Sequence, residues 1–273
     1  MPSLNKTAPL RVAVIGNSHV GALRLGQKRL PERHADVEIT YHSMPGGLAR
    51  QLVLGSNLQL GLPEDVVLND VQAAALKRLG SQAPLDLSTF DHVLFVGLSN
   101  TAMVIAQFLA SHRIEGLYEA GPGSLVSREV AEAVLEALAF QVVPQADWVK
   151  WQGRSLTQYI GPRAAMTVDD PNADERRFGA WRTLAQSEVS PGPALDAFED
   201  KVAATLAERG FFLMRQPRET LGSNSLTKPE YLNFFGREMP PGGDYVHMNA
   251  AYGASFLTQY FDGLKDGNQK GLT

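Results

Sequence analysis

Residues 11–26 read RVAVIGNSHVGALRLG. Val12 to Ile15 is a short, continuous apolar run, the pattern of a strand buried on both faces. It ends on Gly16. Beyond Asn17, Ser18 and His19, the residues Val20, Leu23, Leu25 and Leu30 fall on a helix that stops near Pro31. A strand that turns straight into a helix has three explanations. It is a phosphate loop, an ordinary strand-to-helix turn with Ser18 as N-cap, or a nucleophile held at a helix N-terminus. A P-loop needs G-x-x-x-x-G-K-[ST], and GNSHVGAL has neither the lysine nor the following hydroxyl. A dinucleotide fingerprint needs a middle glycine that Gly16 and Gly21 do not frame. The cap and the nucleophile both stay open on this stretch alone.

Outward from it, strands and helices alternate. Val37 to Tyr41 reads as a second strand. Residues 43–63, rich in Gly, Ser, Asn and Pro, read as a long functional loop or an irregular hairpin. Val66 to Leu79 is helical by period, and His92 to Val96 is the next core strand, ending on GLSN. Helices are expected around 100–111, 127–140 and 194–209, and a last strand at Phe211 to Met214. HMNAAYGASFLTQYFDGL is a closing amphipathic helix. Residues 141–195, with Trp148, Trp151, Trp181 and DDPNADERR, are the least regular. They are read as an insertion forming a lid or substrate wall, or as a peripheral helical layer. Within them Arg176 and Arg177 follow Asp174 and Glu175, a solvated helix face. This alternation predicts an α/β protein with a mostly parallel sheet covered on both faces. With no internal repeat, a single domain over 1–273 is the simpler expectation.

The composition narrows the partners. The chain has 273 residues, 44% of them hydrophobic and 20% charged, and a formal net charge of −4. It has no long basic block, so nucleic acid is not expected as the main partner. It has no cysteine, which excludes disulfides, thiolate metal sites and a cysteine nucleophile. No stretch approaches the ~20 apolar residues of a membrane span, and MPSLNKTAPL contains no signal-peptide core. The expectation is a cytoplasmic protein without a membrane partner. His34, His42, His92 and His112 show no ligand spacing, so no metal is expected, and nothing calls for a cofactor.

The far end of the chain bears on the choice left open above. GGDYVHMNAAYG, residues 242–253, places Asp244 three residues before His247 and just ahead of a helix. A tight loop of this form can bring the carboxylate to one imidazole nitrogen and leave the other free for a serine proton. A helix cap beside a surface histidine explains the same residues. Taken together, the two blocks resemble the SGNH (GDSL-type) serine hydrolase superfamily. There the nucleophile stands in a G-D-S-[LH]-like block after the first strand. The base and acid lie in a D-x-x-H-x-N block near the C-terminus. Here the blocks are Gly16-Asn17-Ser18-His19 and Asp244-Tyr245-Val246-His247-Met248-Asn249.

The resemblance implies a three-layer α/β/α sandwich with a flavodoxin-like, five-stranded parallel sheet. It makes Ser18 the nucleophile, His247 the base and Asp244 the acid that orients it. The oxyanion hole would comprise the Ser18 N–H, a glycine after the second strand and an asparagine after the third. Gly46 or Gly47 of SMPGGLA fits the glycine, against an ordinary Pro-Gly turn. The third block, usually G-x-N-D, is Gly97-Leu98-Ser99-Asn100. Strict register puts Ser99 in the asparagine position, and a one-residue shift brings in Asn100, the residue favoured here because a side-chain amide suits an oxyanion. Asn17 replaces the usual aspartate and supports the turn.

The function implied is a serine esterase acting on a small-molecule or carbohydrate ester. The alternatives are an acyltransferase of the same fold and a non-catalytic binding protein that keeps the pocket. Successive positions on a helix point about 100° apart, so His19 is expected to be a pocket wall or a polar surface residue rather than a second base.

Overall fold

A computed structural model describes residues 8–98, 102–143 and 155–265. The apolar run of the opening stretch forms β1, Leu10–Gly16, whose residues from Val12 to Gly16 are buried. It pairs in parallel with β2, Val37–Ser43, on one side and with β3, His92–Val96, on the other. β3 pairs in parallel with β4, Ser155–Tyr159, and β4 with β5, Phe211–Leu213. The sheet order is therefore β5-β4-β3-β1-β2, the flavodoxin-like arrangement. The order reverses beside β1, and ligand sites of open α/β sheets form at the carboxyl ends of strands flanking such a point.

Helices cover both faces in a three-layer α/β/α fold. α1, Val20–Gly26, packs against α7, Ala250–Lys265. α3, Met103–Leu109, packs with α4, Arg128–Val142, with α5, Glu175–Ala185, and with α6, Gly192–Ala207. α2, Asp70–Leu79, lies against the edge strand β2. It starts later than the apolar period from Val66 predicts. Asn69 is its N-cap, with Gln72 completing a capping box, and this reciprocal pairing sets the first turn at Asp70.

The loop-or-hairpin choice for 43–63 resolves as a 3-10 turn, Gly46–Gln51, followed by a short hairpin. Val53–Leu54 and Gln59–Gly61 pair antiparallel, and Leu85–Asp86 joins as a third strand.

One expectation is corrected. Residues 141–195 are not only an insertion or a peripheral layer: their described part supplies β4, an interior strand, as well as α5. The segment SLTQY hides its strand because Thr157 and Gln158 are polar yet fully buried. The Gln158 Nε2 finds its partner in three dimensions, donating to Val142 O at 2.7 Å. Burying an amide costs little once it is hydrogen-bonded, and periodicity has no access to that partner. Trp181 is packed in the core at 2% exposure, while Trp148 and Trp151 lie outside the described residues. Arg176 and Arg177 are exposed on α5.

The α1–α7 contact is closed by glycine. A Cβ built on Gly253 would overlap the Ala22 carbonyl, and one on Gly26 would overlap the backbone of Gly253 and Ala254. The two helices thus touch backbone to backbone near their ends. Gly253→Ala must push them apart, an overpacking that costs about 1–3 kcal/mol. A melting temperature lower by several degrees checks this, and an unchanged one shows that the helices can yield.

Candidate active site

The carboxyl end of β1 is shaped by Asn17 and Gly97. Asn17 Nδ2 donates to Gly97 O at 2.7 Å, and Asn17 Oδ1 accepts from His19 N at 3.1 Å. Gly97 has φ +62°, and a Cβ there would sit 2.6 Å from Asn17 Nδ2. Only glycine allows both the left-handed backbone and the approach of the amide. Asn17 therefore ties the end of β1 to the end of β3 and turns the chain, as its place in the sequence suggests.

Ser18 is exposed at this turn, and its hydroxyl does not cap α1. The N-cap is His19, with no side-chain cap bond. Instead, Ser18 Oγ lies 2.7 Å from His247 Nε2, across 229 positions of sequence. Both oxygens of Asp244 lie 2.9 Å from His247 Nδ1. A carboxylate only accepts, so Nδ1 carries the proton and donates to it. Nε2 is then an acceptor, and the Ser18 hydroxyl donates to it. This is the arrangement that activation of a hydroxyl by a general base requires. The helix-cap explanation of the two sequence blocks does not describe these contacts.

The backbone around Ser18 adds a second feature. Asn17 N donates to Val96 O, His19 N to Asn17 Oδ1 and Val20 N to Asn17 O. Among the described residues, the Ser18 N–H alone in this turn has no partner. Gly46 and Gly47 open the 3-10 turn that follows β2, at the same edge of the sheet. Asn100 and Ser99 lie outside the described residues.

The electrostatics keep His19 uncharged and Asp244 ionised. Burial works against the ionised form of Asp244. The bonds it accepts from the His247 side chain and from the His247 and Val246 backbone outweigh that, so its carboxyl lies below the usual carboxylate range. The His19 ring stands 5.3 Å from the His247 ring, tilted by 34°. Burial, with His247 beside it, lowers the His19 pKa to about 4, against a weaker pull from Asp244. His19 is thus a neutral wall over His247, one of the two roles expected for it. Among the described residues no group of three His, Asp or Glu side chains could hold a metal.

Asn249, which closes the Asp244–Asn249 block, and residues that the sequence did not single out hold the His247 loop. Asn249 accepts from Ala251 N at 2.9 Å and from Tyr252 N at 3.2 Å, capping α7. Its Nδ2 donates to Glu230 O and Leu232 O. An asparagine just before AAYGASF was the available signal for that cap. Below the loop, Ala165 N donates to Tyr245 O and Asp174 N to Gly242 O, each at 2.8 Å. The Tyr245 hydroxyl donates to Asp170 Oδ2 at 2.7 Å. Residues 165–174 thus form a strap under the acid and base.

No family model matches the chain, and no curated protein matches it. Solved structures similar to it include two that follow. One, from Streptococcus pneumonia and assigned as a platelet activating factor, matches at 10% identity over 97% of this chain and 86% of its own, with a TM-score of 0.41. The other, a carbohydrate acetylesterase family member from Sinorhizobium meliloti, matches at 14% identity over 96% of this chain and 99% of its own, with a TM-score of 0.34. Neither likeness bears on what the residues of this chain do.

Proposed function

We propose that the protein is a serine esterase that hydrolyses an acyl ester of a small molecule or carbohydrate through an acyl-enzyme on Ser18. The observation that carries this reading is the hydrogen-bonded chain from Ser18 through His247 to Asp244. His247 Nε2 takes the hydroxyl proton as Ser18 Oγ attacks the ester carbonyl carbon. The negative charge that develops on the carbonyl oxygen is met by the Ser18 N–H, by the N–H of Gly46 or Gly47, and by the Asn100 side-chain amide. As the intermediate collapses, the bond to the alcohol breaks and His247 gives its proton to the leaving oxygen. Water then loses a proton to Nε2 and attacks the acyl-enzyme. The acid leaves, and the proton returns to Ser18. Asp244 holds the Nδ1–H tautomer and offsets the imidazolium charge that forms in each half.

The test is to treat the protein with a fluorophosphonate, map the modified residue, and assay p-nitrophenyl acetate. Labelling at Ser18 with hydrolysis supports the reading. An unlabelled, inactive protein would mean a binding protein that keeps the fold.

The hole carries its own expectation. Asn100→Ala should lower kcat by ~10²–10³-fold, the cost of losing one oxyanion donor. KM should change little, because the donor acts as charge develops. Ser99→Ala should be mild. A severe Ser99→Ala with a silent Asn100→Ala would transfer the role to the serine hydroxyl.

A further inference from the structure

A second feature at this edge of the sheet is a cavity of about 340 Å³ on the β2 side, within the size range of small-molecule pockets. Met44, Leu62, Val66, Leu68, Leu76 and Pro84 give it apolar walls, and none of its lining residues is charged. Its two polar side chains are Ser81 and Gln82. The Ser81 Oγ is already engaged, accepting from Ser43 N at 3.0 Å. Such a lining suits a hydrocarbon chain and disfavours a sugar or an ionised group, whose polar atoms would be left without partners.

Met44 connects the cavity to the site. Its N–H donates to Gly16 O at 2.7 Å, so this wall lies beside the end of β1, two residues ahead of Ser18. Pro45 and the Gly46–Gln51 turn follow it directly. His247 approaches from the opposite flank. Its loop is bound to Ala165, just beyond β4. α7 is held over the end of β4 by the Tyr159 hydroxyl on the Tyr252 hydroxyl and by the Tyr159 and Phe256 rings, 4.5 Å apart. Since β1 lies between β2 and the β3–β4 side, Ser18 has the base on one flank and the cavity on the other.

This decides which half of an ester goes where. The leaving oxygen must lie against His247 Nε2 to receive its proton, so the alcohol takes the β4 flank. The acyl substituent points away from His247, to the β2 flank. We infer that the cavity is an acyl-chain subsite, and that the preferred substrate is an ester of an aliphatic acid longer than acetate. The inference rests on the esterase reading of Ser18.

The test compares p-nitrophenyl acetate, butyrate, hexanoate and octanoate, and separately the ethyl, butyl and hexyl esters of acetic acid. In the wild type kcat/KM should rise about 4-fold per acyl methylene until the cavity is full, as expected for burying one CH₂. Lengthening the alcohol should bring no such rise. Ala73→Phe and Ala83→Phe, two exposed lining positions, should each flatten the acyl series, with an unchanged melting temperature showing that the fold is kept. Hydrolysis of acetate with no chain-length dependence, a rise that persists in both variants, or a preference that follows the alcohol would each overturn the subsite and leave the esterase standing. Absence of all hydrolysis would instead overturn the esterase. Calorimetric titration with 1-octanol, an uncharged chain of the same length, then decides the cavity alone: binding that is lost in the filled variants supports it, and no binding to the wild type overturns it.

Discussion

Ser18→Ala is expected to lower kcat for any ester substrate by roughly 10⁶-fold, the loss that follows removal of the nucleophile of a serine triad. What remains is the acceleration that binding and the oxyanion hole supply, on the order of 10³–10⁴ over water. Fluorophosphonate labelling should vanish with it. The fold should not change, because the Ser18 hydroxyl caps no helix and the side chain is exposed. The melting temperature separates loss of chemistry from loss of structure. Turnover within tenfold of the wild type would remove Ser18 from the mechanism, whatever its distance to His247.

The second large effect is at Asp244. Asp244→Asn keeps the size of the side chain but places an amide where a carboxylate accepted the Nδ1 proton. The imidazole is then free to turn to the tautomer with its proton on Nε2, the wrong form to receive one from Ser18. At neutral pH the expected loss in kcat is about 10⁴-fold. A loss of less than tenfold would mean that the loop alone orients His247. The same carboxyl contributes to stability with a definite sign. Its folded pKa lies below the unfolded value of 3.8, so the contribution is complete above that value and fades as pH falls through the folded one. Asp244→Asn removes it throughout the neutral range. The substituted protein should therefore melt lower at pH 7 and lose less further stability than the wild type in strong acid.

Much of the fold was legible in local pattern. The apolar runs of β1 and β3 read as strands because both faces of an inner parallel strand are buried. The helices from 128, 192 and 250 read as helices by period, and α2 starts at Asp70 rather than with that period because Asn69 and Gln72 form its capping box. β4 escaped because it buries polar side chains, two of whose groups find partners on other elements: the Gln158 Nε2 on the end of α4, and the Tyr159 hydroxyl on α7. With β4 unseen, residues 141–195 looked like an addition, when they carry both an inner strand and the strap beneath Tyr245. The cavity beside Met44 left no trace in the sequence either, since Leu62, Val66 and Leu68 read only as a loop running into a helix.

The sequence by itself determined which residues could do the chemistry. A serine after a strand end on Gly-Asn, and an Asp-x-x-His ahead of the last helix, are local facts set by side-chain type and spacing. It also determined the alternating strands and helices that put each block at a strand or helix end. Only the tertiary structure decided that the two blocks meet. A hydroxyl and an imidazole 229 positions apart are brought to bonding distance by contacts that no local pattern contains. Gly26 and Gly253 let α1 and α7 touch backbone to backbone. The strap from Ala165 to Asp174 holds the acid and base from below. Hydrogen bonds act over about 3 Å, so long-range packing decides whether a nucleophile has its base.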